Sequence, residues 1–238
     1  MTRPDVDPVR VARMTAALAV GETDPQHALC VASAAAIGVA GAGVILMSGG
    51  RALGNVCVSG SMTAAAEEVQ YTLGEGPCVD AFHTKAPVVA PDLAHPEGDR
   101  WPGFRVGAAN AGVRAVFGFP LLIGAVCFGA LNLYHDHTGD LSDDQYADAL
   151  AVAHVASRTV LGWQSVAGPG SLAWQLEHVP VHRAVVHQAA GMLSVQAAVS
   201  VPDAAVMLRA YAFAEDRPIS DVANSIVSGD LRLDGDAA

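Results

Sequence analysis

The chain has 238 residues, of which 52% are hydrophobic and 16% charged, and this balance excludes a disordered polymer. Its net charge of −11 works against non-specific binding to nucleic acid or to anionic membranes. Apolar runs fall short of the roughly 18 residues that a membrane-spanning helix needs, and the polar N-terminus does not resemble a signal peptide. We therefore expect a cytoplasmic protein with no membrane partner.

The first 165 residues predict helices and hairpin strands in alternation. Helices are expected at about 11–20, 25–37, 61–71, 102–111 and from 142 onward, with a short one after Pro77, and strands at 43–48, 52–59, 86–90, 113–122 and 125–134. Strands in hairpin pairs with helices around them are typical of an antiparallel α+β domain. Ser142 and Gln145 have the spacing of a capping box at the start of the last helix.

That last helix carries an apolar stripe at helical spacing: Tyr146, Ala149, Leu150, Ala153, Ala156, Val160 and Leu161. We interpret this stripe as a dimer seam. Gly168, Pro169 and Gly170 then break any helix and predict a linker. Beyond the linker, three helices are expected at about 180–196, 201–215 and 221–229, capped at their second and third starts by Ser200 and Ser220.

The four cysteines, Cys30, Cys57, Cys78 and Cys127, contain no CxxC pair. In a reducing compartment we expect them to be free and buried rather than paired in a disulfide. Cys78 follows Pro77 at a predicted helix start, where the helix N-terminus would lower its pKa and suit a redox or metal-sensing thiol. A small side chain packed under the loop is the favoured interpretation.

His135 and His137 follow a strand and put two imidazoles on one side. A metal site would need a third ligand, for which Asp136 and Asp140 are near in sequence. We favour a solvated turn and predict no metal and no cofactor. Because no nucleophile, base and acid occur in a recognisable set, we also predict that the chain is not an enzyme.

Several segments resemble the GAF domain, and more narrowly the GAF domains of actinobacterial GAF–ANTAR regulators. They are LGEGPCVDAF at 73–82, PVVAPDL at 87–93, WPGF at 101–104, and GVRAVFGFPL followed by FGALNLY. The resemblance implies a sensor that holds a small molecule between its sheet and the helices on one face. It places this domain at about residues 10–165.

The tail, residues 182–227, resembles the ANTAR domain through R-x₄-Q-A-x-G-M-L, A-x₂-L-R-x₂-A and V-A-x₂-I-V in order. The resemblance implies a three-helix, all-α output module at about 172–232, after a linker at 166–171. Such modules bind RNA stem-loops as dimers in transcription antiterminators. We therefore predict a signal-responsive antiterminator that forms a homodimer and whose partners are RNA stem-loops and a small-molecule ligand of the GAF domain.

The resemblance assigns RNA contacts to five residues: Arg183, His187, Gln188, Arg209 and Arg217. For Arg183 and Arg209, the alternative to an RNA contact is that each only pairs with an acid such as Asp203. Ala190 stands where the family commonly has Lys, on a predicted stripe with Arg183 and His187. Since phosphate contacts dominate nucleic-acid affinity, we expect this change to weaken RNA binding. A rival hypothesis is a GAF module whose ANTAR-like tail serves dimerisation without RNA.

Overall fold

The structure is a computed structural model that describes residues 7–19, 24–49, 51–95, 100–166, 181–215 and 217–233. The chain divides into two compact units, Met1–Ser171 and Leu172–Ala238. In the described ranges, none of the helices has both the length and the hydropathy that a bilayer span requires. The predicted Gly168–Pro169–Gly170 linker lies outside the described residues.

The first unit contains a five-stranded antiparallel sheet in the order β2-β1-β5-β4-β3. The strands are β1 (Gly41–Ser48), β2 (Arg51–Val58), β3 (Val88–Ala90), β4 (Ala115–Ile123) and β5 (Val126–His135). The helices are α1 (Pro8–Leu18), α2 (Pro25–Ile37), α3 (Ser61–Leu73), α4 (Pro77–Thr84), α5 (Pro102–Asn110) and α6 (Asp143–Val166). The predicted α+β class is confirmed.

Helices cover both faces of the sheet, because alternate strand residues point to opposite sides. Val116 of β4 packs in a cluster with Phe104 of α5. Phe119, three residues along the same strand, meets Tyr146 of α6 with ring centroids 5.4 Å apart. The α3–α4–α5 side also receives Asn132 and Tyr134 of β5, which bond to α3.

The start of α6 is fixed by local hydrogen bonds and by α1. Ser142 N donates to Gln145 Oε1 at 3.0 Å, and Gln145 N donates to Ser142 Oγ at 3.2 Å, which confirms the predicted capping box. Arg10 of α1 pairs with Asp148 at 2.6 Å. These contacts hold α6 against its own domain.

The apolar stripe of α6 is not a free dimer seam, and that interpretation is wrong. Ala149, Ala153, Ala156 and Val160 are buried inside the first unit, where α6 packs on α1 and β4. The sequence showed an amphipathic face correctly, but amphipathicity does not say whether the covering surface is the same chain or a second copy.

Two of the four cysteines form a disulfide, which corrects the prediction that all are free. Cys30 of α2 is bonded to Cys57 of β2, and their Cα atoms are 5.8 Å apart, within the range that disulfides need. Cys78 and Cys127 are free. The pair is separated by 27 residues, and only the packing of α2 on the β1–β2 hairpin brings the two together.

In its described residues the second unit is a bundle of three helices: α7 (Val181–Gln196), α8 (Val201–Ala214) and α9 (Ile219–Val227). Ser200 caps α8 as predicted, accepting from Asp203 N at 3.3 Å. The predicted cap at Ser220 is wrong, because α9 begins at Ile219, two residues earlier than predicted, with Pro218 as its N-cap. Ile219 is buried and is drawn into the first turn.

Candidate functional site

The outer surface of α7 carries two of the predicted RNA contacts. His187 and Gln188 are exposed, whereas Val186 and Ala189 beside them are buried. Arg183 lies in the first turn of the same helix, and its side chain is outside the described part of the structure. α7 therefore offers His187 and Gln188 as adjacent polar groups on its solvent side.

Ala190 does not belong to that solvent-facing surface. It is only 3% exposed and lies between buried neighbours on the helix, Ala189 and Leu193. On a helical wheel Ala190 lies near His187, but Ala190 also lies equally near the side of α7 that packs on α8 and α9. The expectation that Ala190 removes a cation from an exposed stripe therefore has no support in the geometry.

The other two predicted contacts lie on and after α8. Arg209 is half-buried on the helix. Arg217 is exposed beyond its C-terminus, where its N–H donates to the Ala212 carbonyl at 2.9 Å and its Nη2 donates to Ser225 Oγ at 3.1 Å. The arginine is thus positioned by both α8 and α9.

A second candidate site is a cluster of buried polar side chains of α3, α4 and β5, which we call the polar core cluster: Glu67, Gln70, Cys78, Asn132 and Tyr134. Glu67 Oε1 accepts from Asn132 Nδ2 at 2.8 Å and from the Tyr134 hydroxyl at 2.9 Å. Gln70 Nε2 donates to that hydroxyl at 2.9 Å, and Gln70 Oε1 accepts from Cys78 N at 3.1 Å. Each member is at most 1% exposed.

Burial and the carboxyl group of Glu67 act together on the acids of the polar core cluster. Burial is the largest cause, and the charge of Glu67 the second, of a pKa of the Cys78 thiol that is raised well above its usual value. The same two causes raise the pKa of Tyr134 well above its usual value. The lowered pKa that a helix N-terminus suggested for Cys78 is therefore wrong, since desolvation of the thiolate outweighs the helix dipole here. A reactive thiol is not what this position provides.

The LGEGPC segment shapes this region through its backbone. Gly76 has φ of +135°, and a Cβ there would collide with the Gln70 side chain. A Cβ on Gly43 of β1 would collide with Glu67 in the same way. Glu75 accepts from Phe104 N at 2.8 Å, at the start of α5. The motif is thus explained by close packing and by capping.

Sequence reasoning missed Glu67, Gln70, Asn132 and Tyr134 as a site. A signal was present: Glu67 and Gln70 are three residues apart on one helix, and Asn132 and Tyr134 are two apart in an otherwise apolar strand. Neither pattern alone says that helix and strand face each other. The pairing emerges only from the fold.

The end of β5 brings His135, Asp136 and His137 together, with one ligand atom from each within 4.8 Å of the others. Asp136 and His137 are exposed, as residues of a solvated turn would be. His135 is different, because it is only 6% exposed.

Two family models match the chain, in line with these two units. The GAF domain model matches residues 27–159, more than half of the chain. The chain belongs to the GAF family. The ANTAR domain model matches residues 174–227, so that a GAF domain is followed by an ANTAR domain in one polypeptide. The predicted GAF–ANTAR combination is confirmed.

Solved structures resemble the GAF domain at low identity. The GAF domain of an Acinetobacter phosphoenolpyruvate-protein phosphotransferase is 12% identical, covers 71% of this chain and 100% of its own, and gives a TM-score of 0.49. A domain of a putative two-component sensor histidine kinase from Sinorhizobium meliloti is 17% identical, with coverages of 60% and 92% and a TM-score of 0.47.

The free methionine-R-sulfoxide reductase of Neisseria meningitidis, solved with its substrate, is 18% identical, with coverages of 66% and 89% and a TM-score of 0.47. All three TM-scores are below 0.5, and the identities do not exceed 18%. No curated protein sequence matches this chain. The functional conclusion therefore depends on the two domains and on the residues themselves.

Proposed function

We propose that this GAF–ANTAR protein is a cytoplasmic, signal-responsive regulator whose ANTAR domain binds RNA stem-loops and favours transcription antitermination. The observation that carries the proposal is the joining of a GAF domain, a sensor class, to an ANTAR domain, an RNA-binding class. We assign sensing to residues 10–165, the linker to 166–171 and output to 172–232. The narrower likeness to actinobacterial regulators stays a prediction.

The RNA surface in this proposal consists of the five predicted residues: Arg183, His187, Gln188, Arg209 and Arg217. Support comes from the exposure of His187, Gln188 and Arg217 in the bundle. Few cations are available, since the sequence carries 13 Lys and Arg against 24 Asp and Glu. Binding to RNA then depends on a small number of phosphate contacts and is steeply salt-dependent.

A mobility-shift titration with paired-hairpin RNA at low and moderate salt tests the proposal. Arg217→Ala should weaken binding and reduce the salt slope by about one. Arg232→Ala removes another exposed arginine of the unit and should leave binding unchanged. Gln188→Ala should weaken binding, whereas Gln196→Ala, exposed at the end of the same helix, should not. Failure of the full chain to bind at low salt, with and without cell extract, would sink the proposal.

The GAF domain in this proposal holds a small molecule beside the polar core cluster. Support comes from Asn132, whose Oδ1 is buried and has no hydrogen-bond partner among the described residues. A hydrogen-bond donor on a ligand would satisfy it. Native mass spectrometry of the purified chain tests this. The wild type should carry mass beyond that of its polypeptide, and Asn132→Ala should carry only its polypeptide mass.

We further propose that the chain is not an enzyme. Both of its domains belong to regulatory families. The buried thiol of Cys78, which has a raised pKa, is a poor nucleophile at neutral pH. Turnover of a candidate ligand by the purified chain, abolished by Cys78→Ala, would contradict this.

The rival function, an ANTAR domain used for dimerisation alone, is favoured by one surface of α8. Val206 and Phe213 are 58% and 65% exposed, and Ala210 between them is exposed as well. Their spacing of four and three residues forms one apolar seam. Two copies of α8 packed antiparallel along this seam would bring Val206 of one against Phe213 of the other.

Sedimentation velocity, combined with the RNA titration, separates the two functions. We propose that the chain is a homodimer that Phe213→Glu should make monomeric, whereas Val195→Glu, on the exposed side of α7, should leave it dimeric. If the wild type dimerises but never binds RNA, the rival is supported. RNA binding that survives in a monomeric Phe213→Glu variant would reject it.

A further inference from the structure

His135, Asp136 and His137 lie where β5 leaves the sheet. The backbone of His135 is held by the strand, since its Cα pairs with Ala115 and its carbonyl accepts from Arg114 N at 2.8 Å. His137 follows two residues later and therefore projects to the same side. The first of the three side chains is thus fixed by the sheet, and the other two lie in the turn that follows.

The three side chains already lie close together. The rings of His135 and His137 have centroids 4.3 Å apart, and His137 Nδ1 is 2.8 Å from Asp136 Oδ1. One ligand atom of each residue lies within 4.8 Å of the other two. Ligands of a tetrahedral zinc ion, at about 2.1 Å from the metal, are about 3.4 Å apart, so a closure of at most about 1.4 Å brings these atoms to coordinating positions.

That closure requires movement only of exposed groups. The side chains of Asp136 and His137 are each 67% exposed, and they can change rotamer in solvent. His135 is 6% exposed, and its ring meets the edge of Phe117 at 6.0 Å. One ligand is therefore held in place, while two can adjust to an ion.

His135 also carries a buried polar atom that calls for a partner. Its Nδ1 has no hydrogen-bond partner among the described residues. Buried polar atoms in folded proteins are nearly always satisfied, and an exception requires a physical explanation such as an ion. The orphaned nitrogen is independent of the closeness of the three residues, and both observations point to the same place.

We propose that His135, Asp136 and His137 bind a divalent transition-metal ion of the zinc class. Two imidazole nitrogens and one carboxylate oxygen suit Zn²⁺, Co²⁺ or Ni²⁺, whereas Mg²⁺ and Ca²⁺ prefer oxygen ligands throughout. Three protein ligands leave at least one position for water. The bound ion ties the end of β5 to the turn before α6.

Zinc titration of the full chain against a chromophoric chelator tests the site. We expect His137→Ala and Asp136→Asn each to weaken the zinc affinity at least tenfold. His83→Ala removes an exposed histidine of α4 and should leave the affinity unchanged. Because other histidines of the chain can bind zinc weakly, the comparison among variants decides the result.

Cobalt supplies a second readout that does not depend on total zinc uptake. Co²⁺ bound by the wild type should give a visible absorption band, and His137→Ala should abolish it while His83→Ala keeps it. Circular dichroism of each variant without metal shows whether it is folded, and the substitutions at His83, Asp136 and His137, which are all exposed, should not change the spectrum. Equal zinc affinity in wild type, His137→Ala and Asp136→Asn, or no zinc binding by the wild type, would overturn the proposal.

Discussion

The hydroxyl of Tyr134 donates a 2.9 Å hydrogen bond to the carboxyl group of Glu67, and both side chains are completely buried. The two residues are 67 positions apart and belong to β5 and α3. Their bond joins the sheet to the helix that covers it. It also sets the conditions under which the sensor domain is stable.

Tyr134→Phe should lower the free energy of unfolding by about 1–3 kcal/mol, because it leaves Gln70 Nε2 without its acceptor and Glu67 with one donor fewer. Urea unfolding measures the change. Tyr146→Phe, which keeps the ring contact with Phe119, should change stability by less than about 0.5 kcal/mol. Equal effects of the two substitutions would show that the polar core cluster contributes nothing specific.

Stability should decline as the pH rises through the ordinary thiol range. The unfolded chain releases the Cys78 proton near pH 8.5, while the folded chain keeps it because its pKa is raised. Above that pH the unfolded state binds fewer protons than the folded state. The contribution of Cys78 to the free energy of unfolding is therefore full below about pH 8.5 and is lost above it. Its slope approaches about 1.4 kcal/mol per pH unit.

Urea unfolding at pH 7.5, 8.5 and 9.5 checks this behaviour. Cys78→Ala should flatten the slope between the two higher values, whatever its effect on absolute stability. Cys127→Ala, at a half-buried thiol whose pKa burial raises less strongly, should flatten the slope less than Cys78→Ala does. Identical slopes in the wild type and Cys78→Ala would contradict the prediction.

Reduction of the Cys30–Cys57 bridge should lower the free energy of unfolding by about 3–4 kcal/mol, from the entropy of closing a loop of 27 residues. Unfolding with and without a phosphine reductant measures the difference. Cys30→Ser should make the protein insensitive to the reductant. Alkylation of the untreated, unfolded chain should label two thiols, and labelling of four would show that the bridge is not formed.

Ala190→Lys should destabilise the bundle by about 1–3 kcal/mol, since it forces a long charged side chain into a position that is 3% exposed. It should not strengthen RNA binding. Val195→Lys, at a position 82% exposed, should leave stability unchanged. Tighter RNA binding by Ala190→Lys with unchanged stability would mean that the lysine stem reaches solvent along the helix.

Local features of the fold were predictable from sequence. The capping box of Ser142 and Gln145 and the cap at Ser200 involve residues within one turn of each other, so their spacing contains the information. The hairpins β1–β2 and β4–β5 also follow from alternation and turns, whereas the order of the five strands in the sheet does not. Ser220 failed as a cap because burial of Ile219 overrode the local preference.

Long-range features were not predictable. The disulfide, the polar core cluster and the burial of α6 all depend on which element packs on which, and one sequence gives no measure of that. Ala190 was misplaced for a related reason: a helical wheel gives angles around the axis but not the direction of the neighbouring helices. The family resemblance supplied the candidate RNA residues, and their exposure had to come from the fold.

The polar core cluster has a consequence for what the sensor domain accepts. The ligand that we propose beside it would compete with the hydrogen bonds that Glu67, Gln70 and Tyr134 make with one another. A hydrocarbon guest would strand those groups in a dry interior, whereas a guest rich in donors could take over their bonds. If the proposed ligand binds there, the domain should favour a molecule rich in hydrogen-bond donors over a hydrocarbon of the same shape.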